Sequence, residues 1–79
     1  MKIQVKVAGI LAKKAEPPLE AKRFELEVPV GTDVEGLIMV LGIPPAMVGS
    51  VTVDSRRCGR DRVLSSGETV SLIPAISGG

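Results

Sequence analysis

The chain is 79 residues long and 44% apolar, with ten basic and nine acidic residues for a net charge of +1, which suits one small domain with its own core and leaves no room for a second. The balanced charge and a single aromatic residue, Phe24, exclude the basic footprint and stacking platform of a general nucleic-acid binder, and no segment reads as a bilayer span or a signal peptide. Without histidine there is no His-based triad, acid–base pair or His metal ligand, and the lone Cys58 cannot form an internal disulfide, so a reducing, cytoplasmic setting is expected.

Residues 2–7 alternate Lys2, Gln4 and Lys6 with Ile3, Val5 and Val7, the period-two pattern of a strand with one buried face. Residues 8–22 carry mixed charge around Pro17-Pro18 and read as a long, mobile hairpin connection. Alternation resumes over 23–28, with Phe24, Leu26 and Val28 on one face and Arg23, Glu25 and Glu27 on the other, which predicts a second strand antiparallel to the first. Pro29-Val30-Gly31 ends it. Thr32-Asp33-Val34-Glu35 then supplies a capping box, with Thr32 as N-cap and Glu35 reaching back to its backbone N–H. Val34, Leu37, Ile38 and Leu41 follow the i, i+3, i+4, i+7 rule, so a helix with one buried stripe is predicted, stopped by a left-handed Gly42. Gly36, on the solvent side of that helix, costs about 1 kcal/mol relative to Ala with no compensation legible in the sequence.

Ile43-Pro44-Pro45 prevents continuation, residues 46–48 form a short turn or helical piece, and Val51-Thr52-Val53 reads as a strand turned by Asp54-Ser55. Residues 57–64 suit a short, charged edge strand with Cys58 and Val63-Leu64 facing inward. Ser65-Ser66-Gly67-Glu68 is a turn, and residues 69–73 form the clearest late strand, Val70 and Leu72 on one face. One amphipathic helix and several half-apolar strands bury each other as a single sheet with the helix laid across it. With the first and last strands as parallel central neighbours, this is the ubiquitin-like β-grasp: an α+β fold with a mixed four- to five-stranded sheet and one main helix. It is expected over residues 1–74, with 75–79 as a flexible tail.

The last residues, Ile76-Ser77-Gly78-Gly79, supply the best candidate for a reacting group, the carboxylate of Gly79. Gly78 and Gly79 can thread where a Cβ would clash, and Ser77 belongs to the same extended end. Ile76, Ile73 and Pro74 are candidates for contact with a partner, each isoleucine worth about 1.5–3 kcal/mol if fully buried in a complex. For Ile73 the alternative is a place in the core; strand alternation puts it opposite Val70 and Leu72 and favours a partner. Arg57 and Arg60, within a cluster that includes Arg56 and Arg62, either steer an acidic partner or simply solvate an edge. Cys58 is read as a small buried hydrophobe, with a reactive, persulfide-carrying thiol as the minor alternative.

Over essentially its whole length, and most specifically from Asp61 through the turn Ser65-Ser66-Gly67-Glu68, the strand Thr69-Val70-Ser71-Leu72-Ile73, Pro74 and the Gly78-Gly79 end, the chain resembles a family of sulfur carriers. That family includes the small subunit of molybdopterin synthase and the thiamine-pathway carrier. The chain departs from the molybdopterin branch at Leu72-Ile73-Pro74-Ala75, where that branch often has aromatic residues followed by paired prolines. The resemblance implies a carrier rather than an enzyme. Its Gly79 carboxylate would be adenylated by an ATP-dependent enzyme of the ubiquitin-activating type and converted to a thiocarboxylate. It implies as further partners a sulfur donor, such as a cysteine desulfurase or rhodanese, and a sulfur-accepting synthase large subunit. No cofactor is expected to be stably bound, ATP being used by the activating partner. Molybdopterin synthesis is the favoured pathway. The alternatives are thiamine-thiazole or amino-acid sulfur transfer, conjugation of Gly79 to lysine, and an interaction module whose terminus is never activated.

Overall fold

The computed structural model describes residues 1–75. Five strands, β1 (Lys2–Val7), β2 (Arg23–Glu27), β3 (Val48–Val53), β4 (Arg56–Cys58) and β5 (Thr69–Pro74), form one mixed sheet in the order β2-β1-β5-β3-β4. β1 and β5 lie side by side and parallel, pairing Val5 with Val70 and Val7 with Leu72. β2 pairs antiparallel with β1, and β3 antiparallel with both β5 and β4. Two α-helices, α1 (Gly9–Lys14) and α2 (Val34–Leu41), and a short 3₁₀ helix, Pro45–Met47, complete the fold among the described residues. This is the ubiquitin-like β-grasp expected from the alternation of the strands and the stripe of the main helix.

The core follows from that alternation. Ile3, Val5, Val7, Val51, Val53, Val70 and Leu72 line one face of the sheet and are buried together with Val34, Leu37, Ile38 and Leu41 of α2. Phe24 and Leu26 pack partly against the same cluster. Each large aliphatic side chain so buried contributes about 1.5–3 kcal/mol, which a core built without further aromatics requires.

Residues 8–22 are not the open hairpin connection expected. α1 forms within them and inserts Leu11, Ala12 and Ala15 into the core, while Ile10 stays 54% exposed. Leu19 returns onto the cluster, its N–H donating to Ala12 O at 2.9 Å. A six-residue helix spans less than two turns, too short for a periodic stripe, and Pro17-Pro18 beside it reads as loop.

The entry of α2 also differs. Asp33, not Thr32, is the N-cap: its Oδ1 accepts the Gly36 N–H at 2.8 Å, whereas the Thr32 hydroxyl donates to Pro29 O at 2.7 Å. Glu35 does not reach back to Thr32; its carboxylate faces Arg60 Nη1 at 3.7 Å. The N–H groups of Val34 and Glu35 donate to Arg62 O and Arg60 O, so the helix start is satisfied by the loop after β4 rather than by a capping box. At Gly36 a Cβ would sit 3.2 Å from the capping Asp33 Oδ1, a tight contact on the side chain that caps the helix, and at an ordinary 3.4 Å from Thr32 Cγ2. At the other end Gly42 is left-handed as expected, φ 68°, with Gly42 N–H to Met39 O and Ile43 N–H to Ile38 O closing the turn as a Schellman pair.

β3 is longer than the Val51–Val53 core read from sequence. Opposite β5 the register moves from Val48↔Pro74 to Ser50↔Ile73, so Gly49 is an extra residue, a β-bulge. The bulge resets the alternation and lets Val48 be buried along with Val51 and Val53. Beyond β4, Leu64 is buried but Val63 is 56% exposed, forming only an isolated bridge with Asp33 rather than facing the core. The edge strand is therefore three residues long, a length that limits pairing with another chain.

Candidate functional site

The solvent face of the sheet is set by the same register that builds the core. Pairings Arg23↔Lys6, Lys6↔Ser71, Ser71↔Thr52 and Thr52↔Arg57 place these five residues side by side in one row crossing all five strands. By alternation the row lies on the face opposite Val5, Val70 and Val51. Three cations thus flank two hydroxyls. Among the described residues none of Lys6, Arg23 and Arg57 has a carboxylate within salt-bridge distance, the ion pairs being made by Met1, Lys2, Arg60 and Arg62.

The next position toward the end of β5 pairs Ile73 with Ser50. Ile73 is 41% exposed, which places it on the solvent face beside the cationic row, and Pro74 follows opposite Val48. In the other direction the face turns acidic: Glu25 accepts from Gln4 Nε2 at 3.1 Å, and Glu27 pairs across from Lys2. The face is therefore graded, with an apolar residue and positive charge at the end where β5 finishes and carboxylates at the far end. Lys6 and Arg23 are missed by reading the sequence, since no local signal joins residues 6, 23 and 57; only the strand order does.

The arginines expected to act as one cluster divide. Arg57 is exposed on the open face. Arg60, expected beside it as a partner contact, turns back: Nη2 donates to Pro45 O at 2.9 Å and to Val48 O at 2.6 Å, tying the loop after β4 to the start of β3. Arg62 makes a two-pronged pair with Glu68, Nη1 to Oε1 at 3.0 Å and Nη2 to Oε2 at 2.7 Å, and Glu68 Oε1 also accepts the Ser65 N–H at 2.6 Å. The Arg62 guanidinium, and after it the Ser65 N–H, hold the Glu68 carboxyl below the ordinary carboxylate range. Cys58 lies on the core-facing side of β4, half-buried, with Sγ 3.8 Å from Val51 O.

β5 delivers the chain to Ala75, whose N–H donates to Met47 O at 2.8 Å. Ile76, Ser77, Gly78 and Gly79, on which the reacting-group and threading expectations fall, lie outside the described residues. The described residues contain no pocket and no group of three or more His, Cys, Asp or Glu side chains able to hold a metal ion. No helix among them is long and apolar enough to cross a membrane.

No protein-family description and no curated protein matches the sequence. The fold does match solved structures across nearly all of both chains. A small archaeal modifier protein 1 from Haloferax volcanii superposes with a TM-score of 0.70 at 13% identity, covering 95% of this chain and 98% of its own. A putative molybdopterin converting factor subunit 1 from Pyrococcus furiosus gives 0.68 at 20% identity, covering 96% and 99%. Urm1 from Trypanosoma brucei gives 0.69 at 25% identity, covering 99% and 95%. These likenesses establish the shared fold.

Proposed function

We propose that the chain is a sulfur carrier whose body is a docking handle and whose reacting atom is the Gly79 carboxylate. The observation that carries this reading is the placement of β5. It runs through the centre of the sheet, parallel to β1, and ends at Pro74 and Ala75 beside the exposed Ile73, with Ile76-Ser77-Gly78-Gly79 next in sequence. The end-to-end match to a molybdopterin converting factor subunit 1 supports it. So does the likeness to a complex of subunits 1 and 2 of that factor from Helicobacter pylori, with a TM-score of 0.61, 18% identity and full coverage of both chains.

A terminal carboxylate has an ordinary pKa of about 3.3–3.7 and is ionised at neutral pH. Held in line with ATP by an adenylating enzyme, its oxygen attacks the α-phosphorus and pyrophosphate leaves, giving an acyl-adenylate. The outer sulfur of a persulfide on a cysteine desulfurase or rhodanese then attacks the acyl carbon and AMP leaves, and a second thiol cleaves the S–S bond of the resulting acyl disulfide, releasing the thiocarboxylate and leaving a disulfide on the donor. The catalytic side chains belong to the partners. This chain contributes the threading end, Ser77-Gly78-Gly79, and a docking face made by Ile73, Arg57 and, further along the same face, Lys6 and Arg23, while Pro74, opposite buried Val48, closes β5 behind that face. Ile76 supplies an apolar contact to a groove of the partner. The acceptor is a molybdopterin precursor held by a synthase large subunit, and the setting is cytoplasmic.

Intact-mass analysis of the protein from its native host, with the activating enzyme present and sulfur abundant, tests this directly. An oxygen-to-sulfur exchange at Gly79 is expected. Deleting Gly79 abolishes acyl-adenylate formation while circular dichroism stays unchanged; a deletion variant that functions fully identifies an interaction module instead. The likeness to a protein named as a modifier favours one second reading, joining of the same activated carboxylate to a lysine amine, and lysine-linked products in the host would establish it.

A further inference from the structure

Gly49 is glycine for a reason other than backbone conformation. Its φ is outside the left-handed region, and its position on the bulge of β3 is exposed. What forbids a side chain is the chain's own last described segment. A Cβ built on Gly49 would lie 2.7 Å from Ala75 Cα, 3.0 Å from Ala75 N and 3.0 Å from Pro74 O. All three are backbone atoms, so no side-chain rotation relieves the overlap, and the segment itself must lift. The same close approach lets the Ala75 N–H reach Met47 O at 2.8 Å, the last backbone hydrogen bond made by β5 and its extension among the described residues. Gly49 and Met47 thus hold the chain against the body up to residue 75.

We propose that Gly49 is a positioning residue for the terminal carboxylate, because the room it leaves for the backbone of Ala75 fixes the point at which the chain departs from the body. This rests on the carrier reading above. Four residues follow Ala75, and four residues span at most about 13–14 Å when fully extended. A carboxylate delivered from an anchor at Ala75 therefore reaches no further than that into a docked enzyme and searches a bounded volume. Releasing Ala75 frees the chain back to Pro74, leaves Ile73 paired with Ser50, and enlarges the volume the carboxylate samples. Binding energy at the docking face is untouched by that change, whereas the fraction of bound carriers with the carboxylate in line with ATP falls.

The test uses the full-length chain with Gly49→Ala and Gly49→Val, read against the ATP-dependent enzyme that adenylates the wild type. Three quantities are measured: amide exchange at Ala75 relative to Leu72, dissociation constant for the enzyme, and turnover in ATP–pyrophosphate exchange. The expected result is faster exchange at Ala75 alone, an unchanged Kd, and turnover reduced about tenfold or more, since ångström-scale misplacement of a reacting group has effects of that order. The larger side chain should lower turnover further. An ester in place of the Pro74–Ala75 amide, introduced by ligating a synthetic C-terminal segment, deletes the N–H donor to Met47 O without altering β3 or adding a ring; it should reproduce the loss and decides the matter if the Gly49 variants fail to fold. Unchanged turnover after Ala75 is released overturns the proposal, as does undiminished protection of Ala75, or a loss that appears wholly in Kd. A wild-type chain that no adenylating enzyme activates overturns the carrier reading, and with it the positioning role, while amide exchange still decides whether Gly49 holds Ala75.

Discussion

Gly42 and Glu16 meet backbone to backbone where the ends of the two helices converge. A Cβ on Gly42 would lie 2.6 Å from Glu16 O and 2.8 Å from Glu16 N, and Glu16 N–H donates to Leu41 O. The glycine that ends α2 is also the surface on which the segment after α1 rests. Gly42→Ala therefore meets both a positive φ of 68° and a backbone collision, and a loss of at least about 1–3 kcal/mol is expected in urea unfolding. A variant as stable as the wild type would show that the two segments do not touch.

Leu11 distinguishes a folded segment from a mobile one. It is fully buried, whereas its neighbour Ile10 is 54% exposed. Leu11→Ala should cost about 2–5 kcal/mol and Ile10→Ala less than about 0.5 kcal/mol in chemical denaturation. Equal, small effects would mean that residues 8–22 are the open connection their prolines suggest.

Acid should weaken the protein through Glu68. Its carboxyl is held below the ordinary range first by Arg62 and then by the Ser65 N–H. The folded state thus binds that proton less readily than the unfolded chain. The resulting stability is fully present above the unfolded value of about 4.3 and is lost as pH falls through the lower folded value. Glu68→Gln removes the charge at any pH. The urea midpoints of wild type and variant should differ at pH 7 and approach each other below the ordinary carboxylate range. A constant gap would place the effect in packing rather than in charge.

The open face makes a prediction about partners. Lys6→Glu and Arg57→Glu each reverse a cation of the row without touching the core, so unfolding should change by no more than about 0.5 kcal/mol. On the carrier reading proposed above, association with an adenylating enzyme should slow, and its dependence on ionic strength should weaken. Ile73→Glu, at the apolar end of the row, should instead raise the dissociation rate by removing a buried contact. If Arg60→Glu alone impaired docking, the contact surface would lie on the loop side of β3 instead.

How far the sequence reaches depends on the range of the forces involved. Alternation over residues 2–7, 23–28 and 69–73, and the stripe Val34, Leu37, Ile38, Leu41, are short-range consequences of which side chains avoid water. They determined the strands, the main helix and its Gly42 stop, and with them the β-grasp. Signals that need a partner elsewhere in the chain were not legible. α1 is one and a half turns whose burial depends on the sheet being present, and Asp33 displaces Thr32 as cap because loop carbonyls from residues 60 and 62 take the first helical N–H groups.

The candidate site divides in the same way. Residues 76–79, the reacting end expected from the sequence, lie outside the described residues. Exposure of Ile73 was readable from its parity against Val70 and Leu72. The charged face was decided by tertiary structure. Strand order brought Lys6 and Arg23 into line with Arg57 and committed Arg60 to the body. A bulge at Gly49 let the chain pass close enough to be held at Ala75. Charge and steric exclusion act through space between residues far apart in sequence, so their outcome was fixed only when the sheet closed around its parallel central pair.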